Sequence, residues 1–199
     1  WFAAGVGMVL LFARETLGYD YQAYVGAAQR LLDGRPLYDT AVDVAGPFAI
    51  YLYPPPFAVA FVPFALLPAT LGIWTWTLLS IAMVVAAMAV LPVRAEIRWA
   101  VLFLAGIDWP VVYAIKLGQV GPLLLLVFAL GWRWLASPTA LGASAAVGTL
   151  IKLQPALLFV WALLTRQVRM IGVGVVVLVV VALVALPIVG GAAWTDYLV

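Results

Sequence analysis

Two stretches of this chain, Thr70–Leu91 and Ile171–Val189, contain no charged side chain at all. Each has the length a helix needs to cross the hydrocarbon core of a bilayer, about 20 apolar residues. Inside lipid the backbone must satisfy its own hydrogen bonds, and a helix does this within one segment. The expected fold is therefore all-α, a polytopic membrane bundle. Composition agrees, with 67% of the 199 residues hydrophobic and 9% charged, and a mean hydropathy of +1.18. A soluble domain carries roughly 25% charged residues. The small net charge of +2 carries no argument for nucleic acid, and no such partner is expected.

Further apolar runs lie between the two clear spans, at Trp99–Ile115, Val120–Leu135, Leu141–Ile151 and Ala156–Thr165. The last two are short and are separated by Lys152, Gln154 and Pro155, so they read as a hairpin dipping partway into the membrane. Polar backbone at depth is tolerated only where protein or a water-filled cavity covers it. Trp1–Ala13 is apolar, begins without Met and lacks a small-residue cleavage pattern after it. It reads as a truncated first transmembrane helix, not a signal peptide. The expected organisation is a single membrane domain, 1–199, that is a fragment of a longer protein. Residues 14–69 form an outer loop, 70–189 hold transmembrane helices and short hairpins, and 190–199 form an outer tail.

Lys and Arg in short loops set orientation. Placing Arg94–Arg98 inside puts Arg133, Arg166 and Arg169 inside as well. The loop 14–56, Lys116–Gln119, Lys152–Pro155 and the tail from Gly190 then fall outside. An inner or plasma membrane protein with an extracytoplasmic active side is expected.

The absence of Cys and His excludes disulfides, thiol nucleophiles, Ser-His-Asp triads and histidine metal ligands. Acid–base chemistry falls to Asp, Glu, Lys or Tyr, and no metal or cofactor is expected. The outer loop holds the densest supply. Tyr21, Val25, Ala28 and Leu32, with Tyr24 and Leu31 beside them, form an apolar face, opposite Gln22, Gln29, Arg30 and Asp33. This predicts an amphipathic interfacial helix over 20–33, stopped by Gly34 and Pro36. Asp20 stands at its start, either as a helix cap or as a carboxylate aimed into a cavity, with Arg14 and Arg35 as its candidate charged neighbours. Asp33, Asp39 and Asp43 read as solvated loop charges. Successive prolines in Tyr51–Pro56 are expected to exclude helix and hold the chain extended as it re-enters the membrane, with Tyr53 lining a site at that level.

Lys116-Leu-Gly-Gln-Val-Gly-Pro and Lys152-Leu-Gln-Pro resemble each other, and each interrupts an apolar hairpin on the outer side. Each lysine alone reads as snorkelling to the headgroups. Together they point to an anion site suited to a lipid phosphate.

The order and spacing of these elements resemble glycosyltransferase family 87, bacterial membrane enzymes of the GT-C fold that take sugar from a polyprenyl phosphate. The resemblance runs over roughly residues 15–170. It rests on Asp20 with Tyr24, Ala27, Ala28, Leu32, Gly34 and Tyr38, on Tyr53-Pro54-Pro55, on Gly118-Gln119, and on Lys152 with Pro155. The family often has Asn shortly after Gly-Gln, where this chain has Gly121. The resemblance implies transfer of a sugar, mannose by default, from a polyprenyl-phosphate donor to an extracytoplasmic lipid or glycan acceptor with inversion. Asp20 would be the general base, and Lys116 and Lys152 would hold the donor phosphate. Tyr24, Tyr53, Gln119 and Gln154 would line the substrate. Two other readings remain at this point: a transporter or flippase for an anionic lipid substrate, and a non-catalytic subunit in which Asp20 only caps its helix.

Overall fold

The computed structural model describes residues 1–12, 14–38 and 50–198. Asp39 and Asp43, expected as solvated charges, lie outside the described residues. Among those residues the structure is helical, without a strand. The chain opens with α1 (Phe2–Phe12), a 3-10 turn (Arg14–Thr16) and α2 (Tyr19–Leu32). It continues with α3 (Pro55–Ala60), α4 (Val62–Ala65), α5 (Ala69–Val90), α6 (Ala95–Ile107), α7 (Trp109–Leu117) and α8 (Gly121–Arg133). Then come α9 (Pro138–Ile151), a 3-10 turn (Gln154–Ala156), α10 (Leu157–Leu164) and α11 (Val168–Leu198).

By length and composition α5 and α11 are long and apolar enough to cross a membrane, as expected. The run expected as one span at Trp99–Ile115 is instead two helices, α6 and α7, bent by 67° at Asp108. The physical cause is Pro110, which has no N–H to continue the ladder and whose ring clashes with the carbonyl four residues back. Asp108 leaves the helical region (φ −78°, ψ 112°) and its carboxylate accepts a 3.3 Å hydrogen bond from the Val111 N–H, starting α7 afresh. The residues 190–199, expected as a tail, continue α11 past a break at Gly190 as far as Leu198.

Prolines open helices throughout this chain, at the first or second position of α3, α4, α7, α8 and α9. There the missing N–H would have no partner in any case, and the fixed φ suits the helix. This corrects the expectation for Tyr51–Pro56. The chain is extended only as far as Pro54, and Pro55 and Pro56 begin α3.

The helices run back and forth between two ends. Near the first end the Trp76 Nε1–H on α5 donates 2.8 Å to the Gly118 carbonyl in the α7–α8 turn. At the other, Arg133 at the end of α8 donates 3.2 Å to the Val90 carbonyl. Helix α5 has 22 residues, so it spans about 33 Å, and Trp76 lies about 10 Å in from its start. Helix α8, with 13 residues, covers about 20 Å, which matches the stretch from Trp76 to Val90. The α7–α8 turn is thus recessed below the top of α5. The space above it is filled by α2, α3 and α4, which pack on one another.

On the far side α9 packs along α11. A side chain at Gly142 would collide with the Met170 carbonyl, and one at Gly174 with the Phe159 ring. Small residues of this kind let membrane helices approach closely.

Of the expected apolar face of α2, Tyr21, Tyr24 and Ala28 are buried, together with Ala23 and Ala27, whereas Val25 is partly buried and Leu32, at the helix end, is exposed. That face meets protein: the rings of Tyr21 and Tyr24 pack on Phe57, Phe61, Phe64 and Trp76. The α3–α4 segment covers that face. At its end Gly34 is left-handed (φ +66°). Bonds from Gly34 N–H to Leu31 O (3.2 Å) and from Arg35 N–H to Arg30 O (2.8 Å) close the last turn.

Candidate active site

The site is built where α2 begins. Gly18, not Asp20, occupies the N-cap position, and its N–H donates 2.9 Å to the Lys116 carbonyl at the end of α7. The expected cap role for Asp20 is thereby replaced. Asp20 sits in the first turn, where the helix dipole favours a carboxylate. Its side chain is left to interact outside its own cap.

The α7–α8 turn brings Gln119 to it. Helix α7 ends in a Schellman arrangement, with Gly118 N–H bonded to Ile115 O (3.1 Å) and Gln119 N–H to Ala114 O (2.9 Å). Gly118 is left-handed (φ +71°), and a Cβ there would come within 2.7 Å of the Tyr21 Cβ. Glycine at 118 is what lets this turn press against α2. The Gln119 side chain is then near enough to Asp20 to favour its charged form.

The α9–α10 turn brings Lys152. Its ammonium charge acts on Asp20, although no ion pair joins the two within 4 Å, the pairs among the described residues being Arg35–Asp33 and Arg94–Glu96. Burial pushes the Asp20 carboxyl above the ordinary carboxylate value, and the nearby Gln119 side chain and the Lys152 charge pull it partly back. The expected partner Arg35 is instead paired with Asp33 at 2.7 Å, on the surface.

Tyr24 and Tyr53 complete the group. Their hydroxyls lie 3.1 Å apart, their rings meet edge to face at 4.9 Å, and both feel the Asp20 charge. Burial pushes both phenols up, so they remain neutral hydrogen-bonding groups. Tyr53 is held on several sides. Tyr38 donates 2.7 Å to its carbonyl, and Tyr51 donates 2.9 Å to the next carbonyl, Pro54. Tyr197, from the end of α11, stacks on Tyr38 at 6.0 Å.

The two lysines differ. Lys152 is exposed, as is Gln154 beside it. Lys116 is buried, 5% exposed, with its ammonium 4.9 Å from the centre of the Tyr113 ring. It does not snorkel, and Trp109 stacks on that ring at 4.9 Å. Its link to Asp20 runs through the backbone bond to Gly18. Sequence reasoning missed Trp76 and Tyr113. The only signal for Trp76 was an indole N–H in an apolar helix, which must find a partner when buried.

The arrangement offers a half-buried carboxylate that can take a proton at Asp20, with the Lys152 charge near it. Among the described residues no group of three or more acidic side chains is gathered. The sequence profile described as glycosyltransferase family 87 matches residues 51–199. That range contains Tyr53, Gln119, Lys152 and Gln154, and it begins after α2. A relative, the polyprenol-phosphate-mannose-dependent alpha-(1-2)-phosphatidylinositol mannoside mannosyltransferase of Mycobacterium tuberculosis, is 29% identical over 195 residues. The alignment takes in 85% of this chain and 46% of the relative, so the chain spans about half of that protein's length. No solved structure matches. With a profile match over more than half of its length, the chain belongs to glycosyltransferase family 87.

Proposed function

We propose that the protein containing this chain transfers a sugar, mannose in the first instance, from a polyprenyl-phosphate donor to an extracytoplasmic lipid or glycan acceptor. The observation that carries the reading is a half-buried carboxylate, Asp20, in the first turn of α2, which is tied to the end of α7 by the 2.9 Å bond from Gly18 N–H to Lys116 O and feels the charge of Lys152. In this reading the transfer is a single displacement with inversion. The acceptor hydroxyl oxygen forms a bond to the anomeric carbon while the bond from that carbon to the phosphate oxygen breaks. Asp20 takes the hydroxyl proton, and polyprenyl phosphate leaves with the electron pair. Gln119 orients the carboxylate. Lys152, near Asp20 but not locked to it, is free to meet the phosphate as its charge grows. Lys116 adds a second positive charge at the same end of the bundle. Tyr53 and Gln154 line the substrate, Tyr24, fully buried, supports Tyr53 from behind, and the reading assigns no metal or cofactor.

General-base help supplies on the order of 10²–10⁴ in rate; orientation and charge stabilisation supply the remainder. The family membership and the mannosyltransferase relative support the class of reaction.

The test is a transfer assay on membranes containing the full-length protein. Labelled polyprenyl-phosphate mannose is compared with a labelled nucleotide sugar under conditions that block lipid-linked donor synthesis. Transfer from the first alone supports the reading. Transfer from the nucleotide sugar contradicts the donor class. Movement of intact labelled lipid across the bilayer, without sugar transfer, replaces the reading with the transporter.

A further inference from the structure

At the opposite end from Asp20, α5 and α6 enclose a groove of about 200 Å³. Its walls include Val85, Met88, Ala89, Trp99 and Leu102, with Arg98 among the lining residues. We propose that this groove holds an anionic glycerophospholipid, with the phosphate on the Arg98 guanidinium and part of one acyl chain along Val85, Met88 and Leu102.

Arg98 is held in place without being used up. Its Nε donates 3.0 Å to the Val93 carbonyl and its Nη1 donates 3.2 Å to the Ala89 carbonyl. These bonds fix the plane of the guanidinium at the end of α5, and its other N–H groups remain for a planar, multi-oxygen anion such as a phosphate. The local charge favours an anion. Arg94 and Arg133 lie at the same end, and the neighbouring acid, Glu96, is already 3.8 Å from Arg94. Apolar walls exclude a free inorganic ion as the natural occupant. The height is right as well, because Trp99, 70% exposed, places an indole beside the arginine, and indoles favour the headgroup level of a bilayer. Basic clusters at that level attract anionic lipid. The inference does not depend on the proposed activity, and its test reads lipid retention alone.

The experiment is native mass spectrometry of the full-length protein, exchanged into nanodiscs containing equal dioleoyl phosphatidylglycerol and dioleoyl phosphatidylcholine. Wild type retains phosphatidylglycerol in preference, and Arg98→Gln lowers that retention about tenfold, the effect of one charge-assisted contact. Ala89→Phe fills the groove without changing charge and lowers retention similarly, so the result does not rest on a variant that also loses the bonds to Ala89 and Val93. Arg169→Gln removes a charge on α11 and leaves retention unchanged. Equal retention of phosphatidylcholine overturns the proposal. So does unaltered retention in Ala89→Phe, or an equal loss in Arg169→Gln, which would mean diffuse attraction only.

Discussion

The two ends of α5 carry comparable numbers of polar groups and use them differently. At its C-terminal end Arg98 and Arg133 donate to the carbonyls of Ala89, Val90 and Val93. Those of Ala89 and Val90 are among the carbonyls that the end of α5 leaves unpaired, where cations complement the helix dipole. The charges are fixed on backbone. Toward the other end Lys116 and Lys152 have no carboxylate within ion-pair distance among the described residues. Asp20 is half-buried against a neutral amide and two phenols. Cationic groups near an apolar bundle are costly to leave unpaired. One end of the bundle thus anchors its cations on backbone carbonyls, while the other sets a half-buried carboxylate, Asp20, near the exposed Lys152.

The comparison can be broken from either side. The largest effect is expected from Asp20→Asn, which removes the base and keeps its shape. Transfer by the full-length protein falls on the order of 10²–10⁴-fold, with an unchanged melting temperature. A melting temperature that falls with the activity would make Asp20 a structural residue. Next, Lys152→Gln lowers transfer on the order of 10²-fold through lost stabilisation of the leaving phosphate. Inorganic phosphate then inhibits the variant less than wild type. Equal inhibition would remove Lys152 from the phosphate site.

Gly118→Val comes third. It forces a β-branched residue into left-handed backbone against Tyr21, at a cost on the order of 2 kcal/mol. Thermal unfolding should show that loss, with activity falling as Gln119 is displaced. The smallest effect belongs to the arginine end. Arg133→Gln removes one exposed contact to the end of α5, worth up to about 1 kcal/mol, and transfer stays at the wild-type rate. A large activity loss there would erase the distinction between the ends.

Much of this contrast was legible in the sequence. Absence of charge marked α5 and α11, and arginine placement separated the ends before any contact was known. The spacing of Tyr21, Tyr24 and Ala28 gave the buried face of α2. The likeness of Lys116–Gln119 to Lys152–Pro155 pointed at two turns that the structure brings to the same end of the bundle. Other features were hidden for physical reasons. Hydropathy runs unbroken through Asp108, so the bend there is visible only through the steric effect of Pro110. Pro55 and Pro56 read as extended because a proline pair forbids the middle of a helix, while its first turn tolerates both. An apolar face does not say whether lipid or protein covers it, and the aromatic packing of α2 on Phe57, Phe61 and Trp76 joins segments far apart in the chain. The bond from Trp76 to Gly118 is hidden for the same reason.

The most direct test of the central claim is the pH dependence of kcat/KM for sugar transfer, which reports the ionisation of the free enzyme's base. Asp20 must be deprotonated to act, so the rate falls as pH drops through its pKa. Because burial raises that pKa, the acid limb in wild type should lie above the ordinary aspartate value of about 3.9. It should be absent from the residual activity of Asp20→Asn. The same limb at the same pH in both proteins would contradict the account and assign the proton to another residue.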